Sequence, residues 1–223
     1  MTTLCIDFGN TRQKAAIFNN EEHITTIFLN ENLKEHLIKI IEEYQPDKSI
    51  LSSVINHDPS IEKLLQEKTK FHLLSAATSK LNFTTPVGKP ETIGADRLAL
   101  CAAAVLQKPN QNNLVIGLGT CITYNFINVK NEFLGGGISP GMYMRMKALN
   151  SYTALLPIIE PHWNVPLIGY DTKTNLLSGV LLGMAKEIDG IIEAYANKYN
   201  NFNVLITGGD MPFFVAHLKN KIF

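Results

Sequence analysis

A chain of 223 residues, 45% hydrophobic and 18% charged, has the make-up of an ordinary folded protein and excludes the low hydrophobicity that keeps chains disordered. Twenty basic residues balance twenty acidic ones and no basic stretch stands out, which argues against binding nucleic acid through its phosphates. Cys5, Cys101 and Cys121 lie far apart in apolar runs and read as free thiols of a reducing compartment. With neither a signal segment nor an 18-residue apolar run, the expected setting is the cytoplasm, away from membranes.

The chain opens with Leu4-Cys5-Ile6, an apolar strand that reaches Asp7, turns through Gly9-Asn10-Thr11 and returns as a second apolar run from Ala15 to Phe18. Gly9 lets the backbone turn tightly, and Asn10 and Thr11 bring amide and hydroxyl donors. Asp7 can hold a hard cation such as Mg²⁺ through water, and Lys14 can offset phosphate charge. Such a tip suits a phosphate; the same residues also make an ordinary β-turn. A third strand is expected from His23 to Leu29, followed by a helix with Leu33, Leu37, Ile40, Ile41 and Tyr44 at helical spacing, closed by Pro46. Ser49 to Val54 reads as a short buried strand, Asp58-Pro59 as a capped helix start and Phe71 to Leu74 as the next strand, together a mixed sheet flanked by helices.

Residues 76–93, with Pro86, Gly88 and Pro90, form a long polar loop that delivers the chain to Gly94-Ala95-Asp96-Arg97. An Ala-rich helix follows from Leu98 to Leu106, ended by Pro109. Acidic residues are favoured in a first helical turn, which accounts for Asp96, but the same dipole disfavours Arg97 there. A carboxylate beside a guanidinium at the end of a loop can serve as base and anion clamp.

Leu114-Val115-Ile116-Gly117-Leu118-Gly119 then repeats Leu4-Cys5-Ile6-Asp7-Phe8-Gly9 at an offset of 110, and continues into Thr120 and a strand-like run from Ile122 to Ile127. So long a period does not fit a solenoid and points to two similar halves, 1–110 and 111–223, each offering a Gly-Thr tip to a cleft between them. Gly135-Gly136-Gly137-Ile138-Ser139-Pro140-Gly141 is too glycine-rich for a regular element; it reads as a tight bend or as a wall close to substrate or partner. Met142 to Leu155 is expected to be helical, the region of Pro157, Pro161, Trp163 and Pro166 a loop, and Asn175 to about Tyr199 a long helix with Thr172 suited to a cap near its start. A strand from Asn203 to Ile206, a Thr207-Gly208-Gly209-Asp210 turn and a last helix complete the chain.

GxxxxGK[ST], GxSxG and the third glycine of a dinucleotide fingerprint are all missing, and no two histidines are spaced as helical metal ligands. His23, His36, His57, His72, His162 and His217 are read as structural or surface residues.

The combination of Asp7-Phe8-Gly9-Asn10-Thr11, Gly94-Ala95-Asp96-Arg97, Gly119-Thr120, the Leu134 to Gly141 stretch and Thr207-Gly208-Gly209 closely resembles type III pantothenate kinase, in order over nearly the whole chain. The resemblance implies an α/β fold of two ribonuclease-H-like, actin-like ATPase domains, with ATP in the interdomain cleft. It implies transfer of the γ-phosphate of ATP to pantothenate, the first step toward coenzyme A, by a homodimer using Mg²⁺ and a monovalent cation, K⁺ or NH₄⁺. Carried over residue by residue, Asp7 binds Mg²⁺ through water and Asp96 is the catalytic base. Phe8, Gly9, Asn10, Thr11, Arg12, Gln13, Lys14 and Thr120 surround ATP, while Gly94, Ala95, Asp96, Arg97 and Thr172 contact pantothenate, Thr172 near the dimer partner.

The sequence departs from the family pattern at Gly117, where the family carries an Asp that helps bind the monovalent cation, at Asn125, where relatives often carry Asp, and at Val87, where a tyrosine is expected. The chain ends at Phe223, where relatives continue with an element that closes the second domain, so a shortened form is expected. These departures keep open an alternative, a weakly active or non-catalytic relative that binds nucleotide or a protein partner as a regulator. A nuclease on the same fold would need several carboxylates around two metals, which Asp7 lacks.

Overall fold

Alternation along the first strand decides where the chemistry of the amino-terminal half points. The computed structural model describes residues 1–86 and 88–220, so the expectations for Val87 and for the chain end at Phe223 lie outside the described residues. In β1 (Thr2–Phe8), Leu4, Ile6 and Phe8 are buried while Cys5 and Asp7 are partly exposed. Successive side chains of a strand point to opposite faces, so Asp7 faces away from the core that Phe8 fills.

The chain turns back into β2 (Gln13–Asn19) and again into β3 (Glu22–Phe28). It then crosses through α1 (Leu33–Tyr44) to β4 (Lys48–Ser53), parallel to β1, and through α2 (Pro59–Lys68) to β5 (Lys70–Leu73), parallel to β4. The sheet order is β3-β2-β1-β4-β5. Leu37, Ile40 and Ile41 of α1 and Ile61 and Leu65 of α2 pack on Leu4, Ile6, Phe8, Ile17 and Leu51, the apolar stripe that helical spacing requires. The helix ends follow from local chemistry. Gln45, at a left-handed φ of 44°, closes α1 just before Pro46, and Asp58 accepts from the Ser60 amide at 2.8 Å with Pro59 in the first turn of α2.

A polar segment containing a 3₁₀ turn (Pro90–Thr92) leads to α3 (Ala95–Gln107). Beyond it, β6 (Asn112–Leu118), β7 (Cys121–Ile127) and β8 (Phe133–Pro140) form an antiparallel meander. The crossover is helical: α4 (Met142–Ser151), then α5 (Thr172–Leu177), a π-helical turn (Ser178–Leu182) and α6 (Gly183–Lys198) in one run. It returns to β9 (Phe202–Thr207), parallel to β6, and α7 (Met211–Phe214) follows; the order is β8-β7-β6-β9. Leu114, Ile116, Leu118 and Phe126 of this sheet pack on Met142, Met146, Leu177, Leu181, Met184 and Ile188. Each sheet is thus a three-strand meander whose first strand is flanked by a parallel strand reached through helices, and β1 and β6 end 110 positions apart, as the repeat requires.

The chain divides into two compact units, one of Met1–Leu81 and Gly88–Ala102, the other of Asn82–Val87 and Ala103–Phe223. Among the described residues no helix is long and apolar enough to cross a membrane.

Three expectations need correction. The glycine-rich stretch after Phe133 is a regular strand, β8, because glycine lets it lie against β7: a Cβ on Gly136 would fall 1.9 Å from the Tyr124 carbonyl oxygen. Gly135, at φ 102°, sits where the register shifts between Phe126 and Ile127. Helix α4 stops at Ser151 and not at Leu155, and the Asn150 side-chain amide donates to the Leu156 carbonyl at 2.6 Å as the chain turns away. The long helix starts at Thr172 rather than Asn175. Its cap is Asp171, which accepts from the Thr174 amide at 2.7 Å while Thr174 Oγ1 accepts from the Asp171 amide at 3.1 Å.

Candidate active site

In the first unit, Asp7 stands opposite Lys14 in the β1–β2 register, with Lys14 Nζ 3.5 Å from Asp7 Oδ2. On the other side, Ser52 of β4 donates its hydroxyl to Asp7 Oδ1 at 3.4 Å. The four residues between the strands form a closed turn: the Gly9 amide donates to the Arg12 carbonyl at 3.2 Å and Gln13 Nε2 to the Gly9 carbonyl at 3.0 Å. A Cβ on Gly9 would stand 3.0 Å from that Arg12 oxygen. Asn10, Thr11 and Arg12 are exposed at the tip. Phe8 is fully buried and can offer a ligand only its backbone.

Asp7 keeps 37% of its side chain exposed, and among the described residues no three His, Cys, Asp or Glu side chains gather as a metal cage. That donor set fits Mg²⁺, which retains several waters and takes its other ligands from phosphate, and it does not fit an ion held by protein alone.

The Gly94 to Arg97 segment reaches the same end of the sheet. Val54, directly after β4, donates its amide to the Phe8 carbonyl at 3.1 Å, and its Cγ1 is 3.7 Å from where a Cβ on Gly94 would be. The Leu98 amide donates to the Gly94 carbonyl at 3.1 Å and starts α3. Asp96 and Arg97, both partly buried, therefore sit in a first helical turn packed against the carboxyl ends of the parallel strands β1 and β4, where α/β sheets place their ligands. Further along the helix, burial pushes the Cys101 thiol up to about 12 against the pull of Arg97, so it stays protonated at neutral pH.

In the second unit, Gly119 and Thr120 join β6 to β7, with the Gly119 amide donating to the Cys121 carbonyl at 3.1 Å. Two other glycines close on this turn. A Cβ on Gly141 would lie 2.2 Å from the Gly119 oxygen, and one on Gly208, at φ 108°, 2.1 Å from the Leu118 oxygen. The Gly141 amide donates to Thr120 and the Asp210 amide to Leu118, each at 3.1 Å. Gly117 lies between Thr123 and Thr207 in register and brings no carboxylate, so a monovalent cation held there by a side-chain charge does not fit. Asn125 is fully buried and donates to the Val115 carbonyl at 3.1 Å and to Thr123 Oγ1 at 3.2 Å, a strand-to-strand tie. Thr172, exposed at the start of α5, lines an apolar cavity of about 370 Å³ with Leu149, Leu156, Asn175, Leu176 and Gly179.

Several participants were invisible in the sequence. Ser52 becomes a partner of Asp7 only through parallel pairing. His57 is structural, as its lack of a metal-ligand spacing implies: 11% exposed, it bridges Ser53 and Glu62 at 3.0 Å each and meets the Phe8 ring edge-on. Arg145 and Glu187 form an ion pair across 42 residues, which no local pattern announces.

The sequence profile of a family described as type III pantothenate kinase matches residues 3–194. The chain belongs to the type III pantothenate kinase family. It is therefore an ATP-dependent phosphotransferase of coenzyme A biosynthesis that acts on pantothenate with a divalent metal of the Mg²⁺ kind. The type III pantothenate kinase of Christiangramia forsetii is 38% identical over 222 residues, 99% of this chain and 91% of the relative, and that of Bacteroides fragilis strain YCH46 is 36% identical over 220 residues, covering 99% and 90%. Among solved structures, a candidate Baf family transcriptional activator from Campylobacter jejuni superposes with a TM-score of 0.63 at 22% identity, covering 98% of this chain and 89% of the other. A candidate N-acetylmannosamine kinase from Listeria monocytogenes superposes at 0.51 with 14% identity, covering 98% and 88%. These structural likenesses speak for the two-domain actin-like fold of the pantothenate kinase.

Proposed function

We propose that Asp96 is the base of this pantothenate kinase, and the observation that carries the reading is its place in the first turn of α3, packed through Gly94 and Val54 against the ends of β1 and β4. The pantothenate hydroxyl passes its proton to Asp96 as its oxygen bonds the γ-phosphorus, and ADP departs with the electron pair of the broken P–O bond. Gly94, Ala95, Arg97 and Thr172 hold pantothenate. The Phe8 backbone, the turn from Gly9 to Arg12, Gln13, Lys14 and Thr120 hold ATP, and Asp7 would hold Mg²⁺, an ion that would neutralise charge at the phosphates. K⁺ or NH₄⁺, expected from the resemblance, has no carboxylate at Gly117 to hold it.

We also propose a homodimer in the cytoplasm. Tyr152, Leu155, Leu167, Ile168 and Tyr170, all from the stretch that precedes Thr172, are 80–90% exposed, apolar side chains that a partner surface would shield from water. A second copy would cover them, and the free thiols suit a reducing compartment.

Incubation with ATP, Mg²⁺ and pantothenate should yield phosphopantothenate by mass spectrometry. No product in either K⁺ or NH₄⁺, with nucleotide still bound in calorimetry, would favour a regulator instead.

A further inference from the structure

Arg145, on the first turn of α4, grips three consecutive residues. Its Nε donates to the Pro140 carbonyl at 2.8 Å, its Nη2 to Ser139 Oγ at 3.0 Å, and its own amide to the Gly141 carbonyl at 3.0 Å. Nη2 also pairs with Glu187 on α6, whose other oxygen accepts from the buried Tyr124 hydroxyl of β7 at 3.0 Å. Burial works against the Glu187 charge, but the hydrogen bonds from Arg145, Ser139 and Tyr124 outweigh it and hold the carboxyl below its usual range.

Those three residues face the glycine turn. Ser139 pairs with Ile122 and Pro140 with Cys121 across β7 and β8, and the Gly141 amide bonds to Thr120. With Arg145 22% and Glu187 27% exposed, the pair adds little stability as an ion pair alone. Its distinctive feature is direction: a planar fork holds its acceptors in one fixed geometry, whereas the three donors of a lysine ammonium rotate freely.

We propose that Arg145 and Glu187 are positioning residues for nucleotide binding: through Ser139, Pro140 and Gly141 they seat the Gly119–Thr120 turn where it meets the ATP phosphates. The inference rests on assigning that turn to ATP.

The test uses the full chain with Arg145→Met and Arg145→Lys, the second keeping the charge but losing the fork and serving alone if the first fails to fold. Amide hydrogen exchange and steady-state kinetics are read together. The expected result is a Gly141 amide that exchanges about 10-fold faster while the Asp210 amide, bonded to Leu118 on the same turn, is unchanged. The ATP KM should rise about 5- to 10-fold with the pantothenate KM within about 2-fold, Arg145→Lys falling between wild type and Arg145→Met. An unchanged Gly141 amide, equal acceleration of both amides, or both KM values rising together would overturn it. Thr120→Val separates the two readings. If it raises the ATP KM while the Arg145 variants do not, the turn binds ATP and the positioning role falls; if it does not, while the Arg145 variants do, positioning stands and acts through the backbone of the turn.

Discussion

A Cβ placed on Gly94 would stand 2.6 Å from Oδ1 of Asp96, so the carboxylate occupies the space that the absent side chain leaves. Gly94→Ala must push Asp96 aside while leaving the Val54 contact within ordinary packing distance, at 3.7 Å. We expect kcat to fall about 10- to 100-fold with only a small loss in melting temperature, since misplacement of a catalytic group by about an ångström costs rate far more than stability. Parallel kinetics and thermal melts check this; an unchanged kcat would free Asp96 from that geometry.

Asp7 carries its charge at a partly exposed strand end, between Lys14 and Ser52. Asp7→Asn keeps the shape but removes the negative charge that Mg²⁺ requires, so kcat/KM for MgATP should drop about 100-fold or more. The midpoint of the Mg²⁺ titration should move to higher concentration, while the fold, probed by circular dichroism, stays intact.

Gly117 offers no side-chain oxygen between Thr123 and Thr207. Turnover in K⁺, NH₄⁺, Na⁺ and a bulky organic cation should agree within about 2-fold, since position 117 supplies no carboxylate to anchor such an ion. Gly117→Asp should introduce a dependence on monovalent cation; strong activation of the wild type by K⁺ would place the cation elsewhere.

The hairpins, α1, α2, α3 and the crossover helix were legible because each carries its own period or cap: Asp58 before Pro59, apolar residues at helical spacing, and the repeated six residues that end at Gly9 and Gly119. Strand β8 was not, because its three glycines argue against a strand locally and make sense only against the Tyr124 carbonyl. The sequence offers Thr172 as a cap, but the reciprocal bonds between Asp171 and Thr174 make Asp171 the cap. Of the site, Asp7, the turn after it and Asp96 could be read as chemistry at element ends. Ser52, Arg145 and Glu187 could not, because pairings over long sequence separation create their roles.

Glu187 has a folded pKa held below its ordinary value of 4.5. Its contribution to stability is fully present above that value and disappears as pH falls through the lower folded pKa. The stability difference between wild type and Glu187→Gln should therefore be greatest near neutral pH and shrink as the pH falls below the ordinary carboxylate range in urea melts. A gap that widens on acidification would reverse the sign.

The direct test of the central claim is the turnover number of Asp96→Asn with saturating MgATP and pantothenate. The account predicts a kcat lowered about 100- to 10,000-fold, the range a positioned general base supplies, with the ATP KM within about 2-fold and the melting temperature close to that of the wild type. A variant that forms phosphopantothenate at the wild-type rate would contradict it.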